Sequence, residues 1–422
     1  MSLWFNDPYL RSIIPLGLSS SIRGLTTLFN TPKMIMGANV FPEGLVIGPS
    51  TVDFLGARCE RKRVFIVTDE FSERFTPKVV KALEAGGFAT EVWGKALPEA
   101  PLDSVRACGE AMTGFKPDLI MAVGGGSVID TAKGAWVFYE RPDITDLTLV
   151  TPLALLGLRK KAVFAGVPTT SGTGSECTTF AVIHDVENNR KIPIANDDLM
   201  PDFAILAPEF TMSMPPALTA GTGLDVLAHS MDAVMSAASS EVTDAMSLTA
   251  IKIAFRYLPR AYRNGKDREA RTRMLLAASL AGIGFGNAGT ALTHSFGHTV
   301  GSFFNIHHGL AVGMFIPYVF QFYRTVSDKY LEICDTLEVR GETPEERFDG
   351  LMERVRNLFE GMNVPLCLKD LGIKKEEFEA NMEKMVVYTY EDIDTIFSPR
   401  PITREQCETI FRYAYEGTDV SF

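Results

Sequence analysis

The chain has 422 residues, of which 46% are hydrophobic and 22% are charged, a balance typical of a folded globular protein. A length of 422 residues exceeds what one compact core usually supports, and it predicts two domains. The net charge of −11, without any run of Lys and Arg, argues against nonspecific nucleic-acid binding.

The cysteines and the N-terminus indicate a cytoplasmic protein. The six cysteines are scattered without a CxxC pair, as expected in a reducing compartment. The opening MSLWFNDPYLRS lacks the basic and apolar regions of a signal peptide. Residues 275–292 are nearly uncharged, but Asn287 and four glycines interrupt them, so we interpret this run as a buried core helix and not as a membrane span.

Residues 31–212 predict an α/β domain. Short β-branched runs bounded by glycines recur there, with helical patterns such as PKVVKALEAGG and SVRACGEAMTGF between them. Strands that alternate with helices predict βαβ units and a mostly parallel, Rossmann-like sheet. The predicted strands are VFIVTDE, ATEVWG, LIMAVGGGS, AVFAGVPTT and FAILAP. Residues 1–30 follow no such pattern and are interpreted as an N-terminal extension.

LIMAVGGGSVIDTAKG places an apolar strand directly before three glycines and a helix. Gly125 and Gly126 let the backbone approach a ligand, and the helix N-terminus offers free N–H groups to a phosphate. Ser127 and Asp130 have the spacing of a capping box. The stretch predicts a phosphate site, with a purely structural turn as the alternative, because it matches neither GxGxxG nor the Walker A pattern.

Two other predicted strands also end in polar side chains. Asp69 follows VFIVT and suits either a ribose hydroxyl or a helix cap. In VPTTSGTGSE, the hydroxyls of Thr169, Thr170 and Thr173 suit ribose or phosphate oxygens, or again a cap. Because open parallel sheets bind ligands at their carboxyl edge, three such features together favour a ligand there.

Residues 213–422 predict an all-helical domain. After Pro215 and Pro216 one helical pattern follows another, for example TDAMSLTAIKIAFRYLPRAYRN and PEERFDGLMERVRNLFEGM. The predicted fold class is therefore an α/β domain followed by an all-α domain. The cleft between two such domains is the expected ligand site.

Four of the six histidines, His294, His298, His307 and His308, crowd into THSFGHTVGSFFNIHHG. Imidazole is a common metal ligand and a general acid or base near neutral pH. The cluster therefore indicates a metal site, a proton relay or both. The alternative is a helix that simply carries core and surface histidines.

A carboxylate with suitable spacing lies elsewhere in the chain. Asp225 and His229 are four residues apart in the helical stretch GTGLDVLAHSMDAV, so both point from one helix face. Such a pair alone is usually coincidental, but the histidine cluster strengthens it. Asp225, His229, His294 and His308 would supply one carboxylate and three imidazoles, which suits Fe(II), Zn(II), Mn(II) or Ni(II).

The chain resembles the iron-dependent (group III) alcohol dehydrogenases, the family that includes lactaldehyde and 1,3-propanediol oxidoreductases. The matching stretches run in family order and cover nearly everything from about residue 31 onward. They are GGGSVIDTAKG, PTTSGTGSE, KIPIANDDLMPDFAILAPE, MPPALTAGTGLDVLAHSMDA, LTHSFGHTVGSFFNIHHGLAV and PRPITREQCETIFRYAYEG. The resemblance implies a two-domain plan with a dehydroquinate synthase-like, all-α metal-binding domain.

The resemblance also implies roles for individual residues. The family's metal ligands correspond to Asp225, His229, His294 and His308. His298 matches a histidine that binds no metal and relays protons near the nicotinamide. The expected NAD contacts are Gly125, Gly126, Ser127 and Asp130 at the pyrophosphate turn, with Thr169, Thr170, Thr173 and Lys191 beyond it, and Asp69, which favours NAD over NADP.

Several positions depart from the family or have an open role. Where relatives often read PNPT, this chain has Ala100, which cannot supply the asparagine's hydrogen bond. His307 is interpreted as a neighbour of the pocket without a ligand role. Phe180 and Phe285 are candidates for the substrate pocket, with ordinary core aromatics as the alternative.

The implied activity is reversible hydride transfer between NAD(H) and a short-chain primary alcohol, diol, hydroxy acid or sulfonated analogue. One divalent metal, Fe(II) by family, acts as the Lewis acid. Relatives commonly form homodimers or higher homo-oligomers. The alternatives are an enzyme like dehydroquinate synthase or glycerol dehydrogenase from the same superfamily, and a non-catalytic nucleotide or metal binder.

Overall fold

The computed structural model describes residues 29–37, 40–41, 50–188 and 190–422. The chain divides into two compact units, one formed by Asn30–Ser213 and the other containing Met214–Phe422. Most of the predicted N-terminal extension, residues 1–28, lies outside the described residues.

The first unit is built on a parallel sheet. Its strands are β1 (Lys33–Met36), β2 (Arg63–Val67), β3 (Ala89–Trp93), β4 (Leu119–Gly124), β5 (Val163–Pro168), β6 (Phe180–Asp185), β7 (Arg190–Ala195) and β8 (Phe203–Leu206). Six of them form one sheet in the order β1-β8-β5-β4-β2-β3, with parallel pairing throughout. β6 and β7 form a separate antiparallel hairpin, which the sequence analysis did not predict.

Apolar clusters cover both faces of this sheet, which is why its strands are nearly continuous apolar runs. In β2, Val64 and Ile66 enter one cluster, whereas Phe65 and Val67 enter the other. The helices of this unit are α1 (Thr51–Gly56), α2 (Thr76–Ala85), α3 (Leu102–Phe115) and α4 (Gly126–Glu140). α1 and α2 contribute to the first cluster, and α3 and α4 contribute to the second. The result is the layered α/β architecture that the sequence predicts.

The second unit is helical throughout its described residues. Its α-helices are α5 (Pro216–Met235), α6 (Glu241–Arg263), α7 (Arg268–Ala288), α8 (Leu292–Phe304), α9 (His308–Met314), α10 (Ile316–Tyr323), α11 (Tyr330–Thr336), α12 (Pro344–Glu360), α13 (Lys375–Glu391) and α14 (Arg404–Glu416). α5 is central, because every residue from 219 to 235 is buried. A buried helix that carries Asp225, His229 and Asp232 needs polar partners for all three.

None of the described helices is by itself long and apolar enough to cross a membrane. α7 and α8 meet the length and composition criteria only as a pair, and the pair is bent by 108° at its break. The apolar run of residues 275–292 covers the C-terminal part of α7, this break and the first residue of α8, and several of its side chains pack in the core of the unit.

Candidate metal centre

Helices α5, α8 and α9 bring the four predicted metal ligands together. Oδ1 of Asp225 lies 3.7 Å from Nδ1 of His229, 4.0 Å from Nε2 of His294 and 3.3 Å from Nε2 of His308. One ligand atom from each residue fits within a group whose members all lie within 4.8 Å of one another.

The donor atoms fit a divalent cation. Oδ1 of Asp225, Nδ1 of His229 and Nε2 of His294 are buried and have no hydrogen-bond partner. Such atoms are costly to bury unpaired, and one cation between them would satisfy all three. Burial lowers the pKa of His229 to about 3 and also lowers that of His294. Both imidazoles are therefore neutral at physiological pH, which is the form that binds metal.

His308 reaches Asp225 because α9 and α5 approach closely at Gly309. A Cβ at Gly309 would overlap the carbonyl oxygen of Gly221 and lie 2.9 Å from Cβ of Asp225. A larger residue would therefore push α9, and His308 with it, away from the other ligands. His307 packs its ring against Gly221 and lies outside the group of four.

Asp232 is a buried carboxylate behind the ligands that the sequence analysis missed. Its Oδ2 lies 3.0 Å from Nδ1 of His294, and because a carboxylate only accepts, Nδ1 donates this hydrogen bond. The pairing leaves Nε2 of His294 for the metal. Asp232 comes seven residues after Asp225 and three after His229 on one helix, so helical spacing alone could have revealed it.

His298 lies beside the ligand set and is held by acidic residues from the segment after α13. Its Nδ1 lies 3.0 Å from Oδ2 of Asp392 and 3.7 Å from Oδ2 of Asp394. Burial acts to lower the pKa of His298, but the Asp392 carboxylate outweighs it and raises that pKa to about 9. Burial and the neighbouring charge of Asp392 raise the pKa of Asp394 to about 7.

The accessible side of the centre is formed by His308 and His298. Their side chains are 44% and 34% exposed, whereas Asp225, His229 and His294 are buried. The two accessible rings stack with centroids 5.3 Å apart. On the buried side, Phe285 stacks on His229 with centroids 4.0 Å apart, so this pocket candidate contacts a ligand ring.

In the other unit, the predicted cofactor residues gather at the carboxyl edge of β2, β4 and β5. The carboxylate of Asp69 accepts the backbone N–H of Ser72 at 2.6 Å, and the hydroxyl of Ser72 lies 3.2 Å from that of Thr169. The backbone N–H of Thr169 donates to the carbonyl of Gly124 at 3.0 Å. Asp69, Thr169 and the glycine turn are therefore joined in one network.

The glycine turn packs against the VPTTSGTGSE turn. A Cβ at Gly126 would lie 2.8 Å from Cγ2 of Thr173, so only glycine allows this approach without a shift. Gly125 is the N-cap residue of α4, and the side chain of Thr170 lies against it. No side chain caps this N-terminus, which leaves its first N–H groups available to an anion.

The predicted capping box at Ser127 and Asp130 is wrong. The hydroxyl of Ser127 accepts a hydrogen bond from the backbone N–H of Glu99 at 3.0 Å. The carboxylate of Asp130 accepts one from the backbone N–H of Val182, also at 3.0 Å. The helix begins at Gly126, so Ser127 is already inside it and cannot act as the cap. These side chains instead fasten the backbone at Glu99 and strand β6 to the start of α4.

Lys191 and Phe180 lie on the β6–β7 hairpin. Nζ of Lys191 is 2.8 Å from Oε2 of Glu99, and Nδ1 of His184 is 3.1 Å from the same oxygen. The carbonyl of Phe180 accepts a hydrogen bond from the buried Lys133 at 2.8 Å, so Phe180 has a structural contact of its own. Ala100 follows Glu99 in a left-handed backbone conformation, with φ of 49°.

Comparison with known proteins identifies the family. The profile for iron-containing alcohol dehydrogenase matches residues 42–208, and the one for the Fe-containing alcohol dehydrogenase family, C-terminal, matches residues 219–415. The NADPH-dependent butanol dehydrogenase of Clostridium saccharobutylicum is 34% identical over 90% of this chain and 98% of its own length. The chain belongs to the iron-containing alcohol dehydrogenase family.

Other alcohol dehydrogenases agree in fold and sequence. The iron-containing alcohol dehydrogenase of Thermococcus thioreducens superposes with a TM-score of 0.82 at 29% identity, covering 93% of this chain and 100% of that one. The bifunctional aldehyde-alcohol dehydrogenase AdhE of Escherichia coli K12 is 34% identical over 85% of this chain, which spans only 43% of that longer protein.

Family membership confirms the predicted fold class and an oxidoreductase that acts on the CH–OH group of its donor. It also implies a bound metal and a nicotinamide dinucleotide. Both matching profiles describe alcohol dehydrogenases, and neither describes the dehydroquinate synthase or glycerol dehydrogenase alternatives.

Proposed function

We propose that this alcohol dehydrogenase catalyses reversible hydride transfer between NAD(H) and a short-chain primary alcohol or aldehyde, with Fe(II) held by Asp225, His229, His294 and His308. The observation that carries this proposal is the convergence of three buried, unpaired donor atoms from two helices. Diols, hydroxy acids and sulfonated analogues belong to the same substrate class, and a relative of near-equal length is named a butanol dehydrogenase.

When bound, the cation would supply Lewis acidity toward the hydroxyl of an alcohol, and the nicotinamide would supply the hydride acceptor. The chain's own residues prepare the site. Asp232 orients His294, and the burial of Asp225 and His229 keeps water from their side of the centre. His298, with Nδ1 turned to Asp392, exchanges the alcohol proton at Nε2 on the accessible side.

The dinucleotide is expected at the carboxyl edge of the first unit. The uncapped N-terminus of α4 at Gly125 and Gly126 suits a pyrophosphate. Lys191 is proposed as a further contact, and without a ligand its charge is paired with Glu99. The Asp69 carboxylate favours NAD, because it would repel the 2′-phosphate of NADP. Since the Clostridium relative is named NADPH-dependent, this preference needs its own measurement.

A cytoplasmic location and a homodimer or larger homo-oligomer complete the proposal. All six cysteines are free and buried, which supports a reducing compartment. The oligomeric state follows from the family resemblance, and light scattering of the purified protein measures it.

The decisive experiment is reconstitution of metal-stripped protein. Separate samples are loaded with Fe(II), Zn(II), Mn(II) or Ni(II), and NADH oxidation is followed with neutral and anionic short aldehydes. Turnover restored by Fe(II) with one substrate class is expected. Absence of turnover with every combination, although metal and NADH bind, would favour a non-catalytic binder or a substrate outside this class.

A further inference from the structure

The segment after α13 is fastened to α8 beside the metal ligands. Oδ2 of Asp392 lies 3.0 Å from Nδ1 of His298, and one turn away the hydroxyl of Thr395 donates to that of Ser295 at 2.9 Å. Asp392 is remote from His298 in sequence, so only the fold brings them together. Asp392 has no part in the predicted ligand set.

The carboxylate of Asp392 is itself fixed on both of its oxygens. As the N-cap of the 3₁₀ helix Ile393–Phe397, it accepts the backbone N–H of Asp394 with Oδ1 at 2.9 Å. Its other oxygen, Oδ2, therefore faces His298 in one defined direction. Because a carboxylate only accepts, this contact places a proton on Nδ1 and assigns Nε2 to exchange with a substrate.

The orientation of the His298 ring matters because of its neighbours. Its centroid lies 5.3 Å from that of His308 and 5.8 Å from that of His294, so the ring borders two metal ligands. The terminal torsion of histidine is broad and roughly two-fold, which allows a flip that exchanges the two nitrogens. The contact with Asp392, at 3.0 Å the shorter of the two that Nδ1 makes with carboxylates, distinguishes the productive ring from the flipped one.

His298, Asp392 and Asp394 also form a group that could in principle hold a second cation. The geometry favours the hydrogen-bonded arrangement, because the oxygens of Asp392 are already divided between the backbone N–H of Asp394 and the ring of His298. Metal content per chain distinguishes the two arrangements.

We propose that Asp392 is a positioning residue that holds the ring of His298 in the orientation from which Nε2 exchanges the substrate proton. This inference rests on the proposed role of His298 as the proton relay. Asp392 itself acts through His298, whose Nδ1 it contacts.

Asp392→Asn tests the proposal in the metal-loaded, full-length enzyme. The Asn oxygen can still cap the 3₁₀ helix, whereas its NH₂ group faces Nδ1 as a donor and cannot accept the Nδ1 proton that now fixes the ring. We expect kcat to fall about 10- to 100-fold, with unchanged metal content and unchanged KM for NAD. Thr395→Val is the control, because it removes the hydrogen bonds of the Thr395 hydroxyl with Ser295 and with the carbonyl of Thr389 but leaves the contact between Asp392 and His298. Its kcat should stay near that of the wild type.

A double-mutant cycle supplies the readout that a merely structural role would not produce. If Asp392 acts through His298, adding Asp392→Asn to His298→Ala causes no further loss of kcat. The proposal would be overturned if the double mutant lost kcat by the product of the two single-mutant factors. It would also be overturned if Asp392→Asn kept the wild-type kcat. A loss of metal from Asp392→Asn would overturn it as well, because a residue that only positions His298 leaves the metal content unchanged.

The same experiment separates this inference from the proposed function. A wild-type enzyme without turnover contradicts the proposed function itself. If the wild type is active and His298→Ala keeps full kcat, the alcohol dehydrogenase activity stands but the relay role of His298 is contradicted. The positioning role of Asp392 is then contradicted too.

Discussion

The carboxylate of Asp232 lies 3.0 Å from Nδ1 of His294, with both side chains buried. The same oxygen accepts the backbone N–H of Ala291 at 2.9 Å and a hydroxyl hydrogen bond from Thr293. One carboxylate thus organises the start of α8 and orients the imidazole of a proposed metal ligand. Outer carboxylates of this kind fix the tautomer of metal-binding histidines and raise their basicity.

We expect Asp232→Asn to weaken metal binding about 10- to 100-fold, because the substitution keeps the shape but removes the charge behind His294. Competition with a chelator measures the affinity. Asp244→Asn is a suitable control, since Asp244 is another buried carboxylate of this unit that pairs with Lys329 at 2.7 Å. Asp244→Asn should lower the free energy of unfolding and leave the metal affinity unchanged. Equal affinity in both variants would contradict the assigned role of Asp232.

The adjacent histidines of α9 provide a second test. His308→Ala removes the ring whose Nε2 lies 3.3 Å from Oδ1 of Asp225, and we expect loss of bound metal together with activity. His307→Ala removes the ring that packs on Gly221, outside the ligand group, and should retain metal. Metal analysis of both purified variants decides between the two assignments. If His308→Ala retained metal and His307→Ala lost it, His307 and not His308 would be the ligand.

The coenzyme preference tests Asp69. Asp69→Asn keeps an oxygen that can accept the N–H of Ser72 but removes the negative charge. We expect the ratio of kcat/KM for NAD to that for NADP to fall about 10-fold or more, because repulsion of the 2′-phosphate disappears. Steady-state kinetics with both coenzymes measures this ratio. An unchanged ratio would mean that Asp69 serves the turn alone.

Local spacing made much of the metal centre predictable. Asp225 and His229 lie one helical turn apart on α5, so their shared direction follows from the sequence. The position of His308 does not, because it depends on how closely α9 packs on α5 at Gly309. Asp392 could not be linked to His298 either, since 94 residues separate them and only tertiary packing joins them.

The fold of the first unit was predictable for a similar reason. Strands buried on both faces are apolar runs, and β2, β4 and β5 stand out in the sequence. The β6–β7 hairpin has no such signal, and its role lies in side-chain contacts such as Lys191 with Glu99. The capping interpretation of Ser127 failed because spacing alone does not show where a helix begins.

A buried lysine of the GGGSVIDTAKG helix predicts how stability depends on pH. Nζ of Lys133 donates to the carbonyl oxygen of Thr178 at 2.6 Å, to its hydroxyl at 3.1 Å and to the carbonyl of Phe180 at 2.8 Å. These contacts hold the entry to β6 against α4. Burial nevertheless lowers the pKa of Lys133 from 10.5 to about 8.

Between those two pH values the unfolded chain keeps a proton on Lys133 that the folded chain has released. The free energy of unfolding contributed by this residue therefore rises with pH from about 8 to 10.5, and it is lowest where the folded state must hold the buried charge. Relative to Lys133→Met, the wild type should gain at most about 3 kcal/mol over this interval. Urea unfolding of both proteins at the two pH values measures the gain. A difference between them that does not change with pH would show that Lys133 stays protonated in the fold.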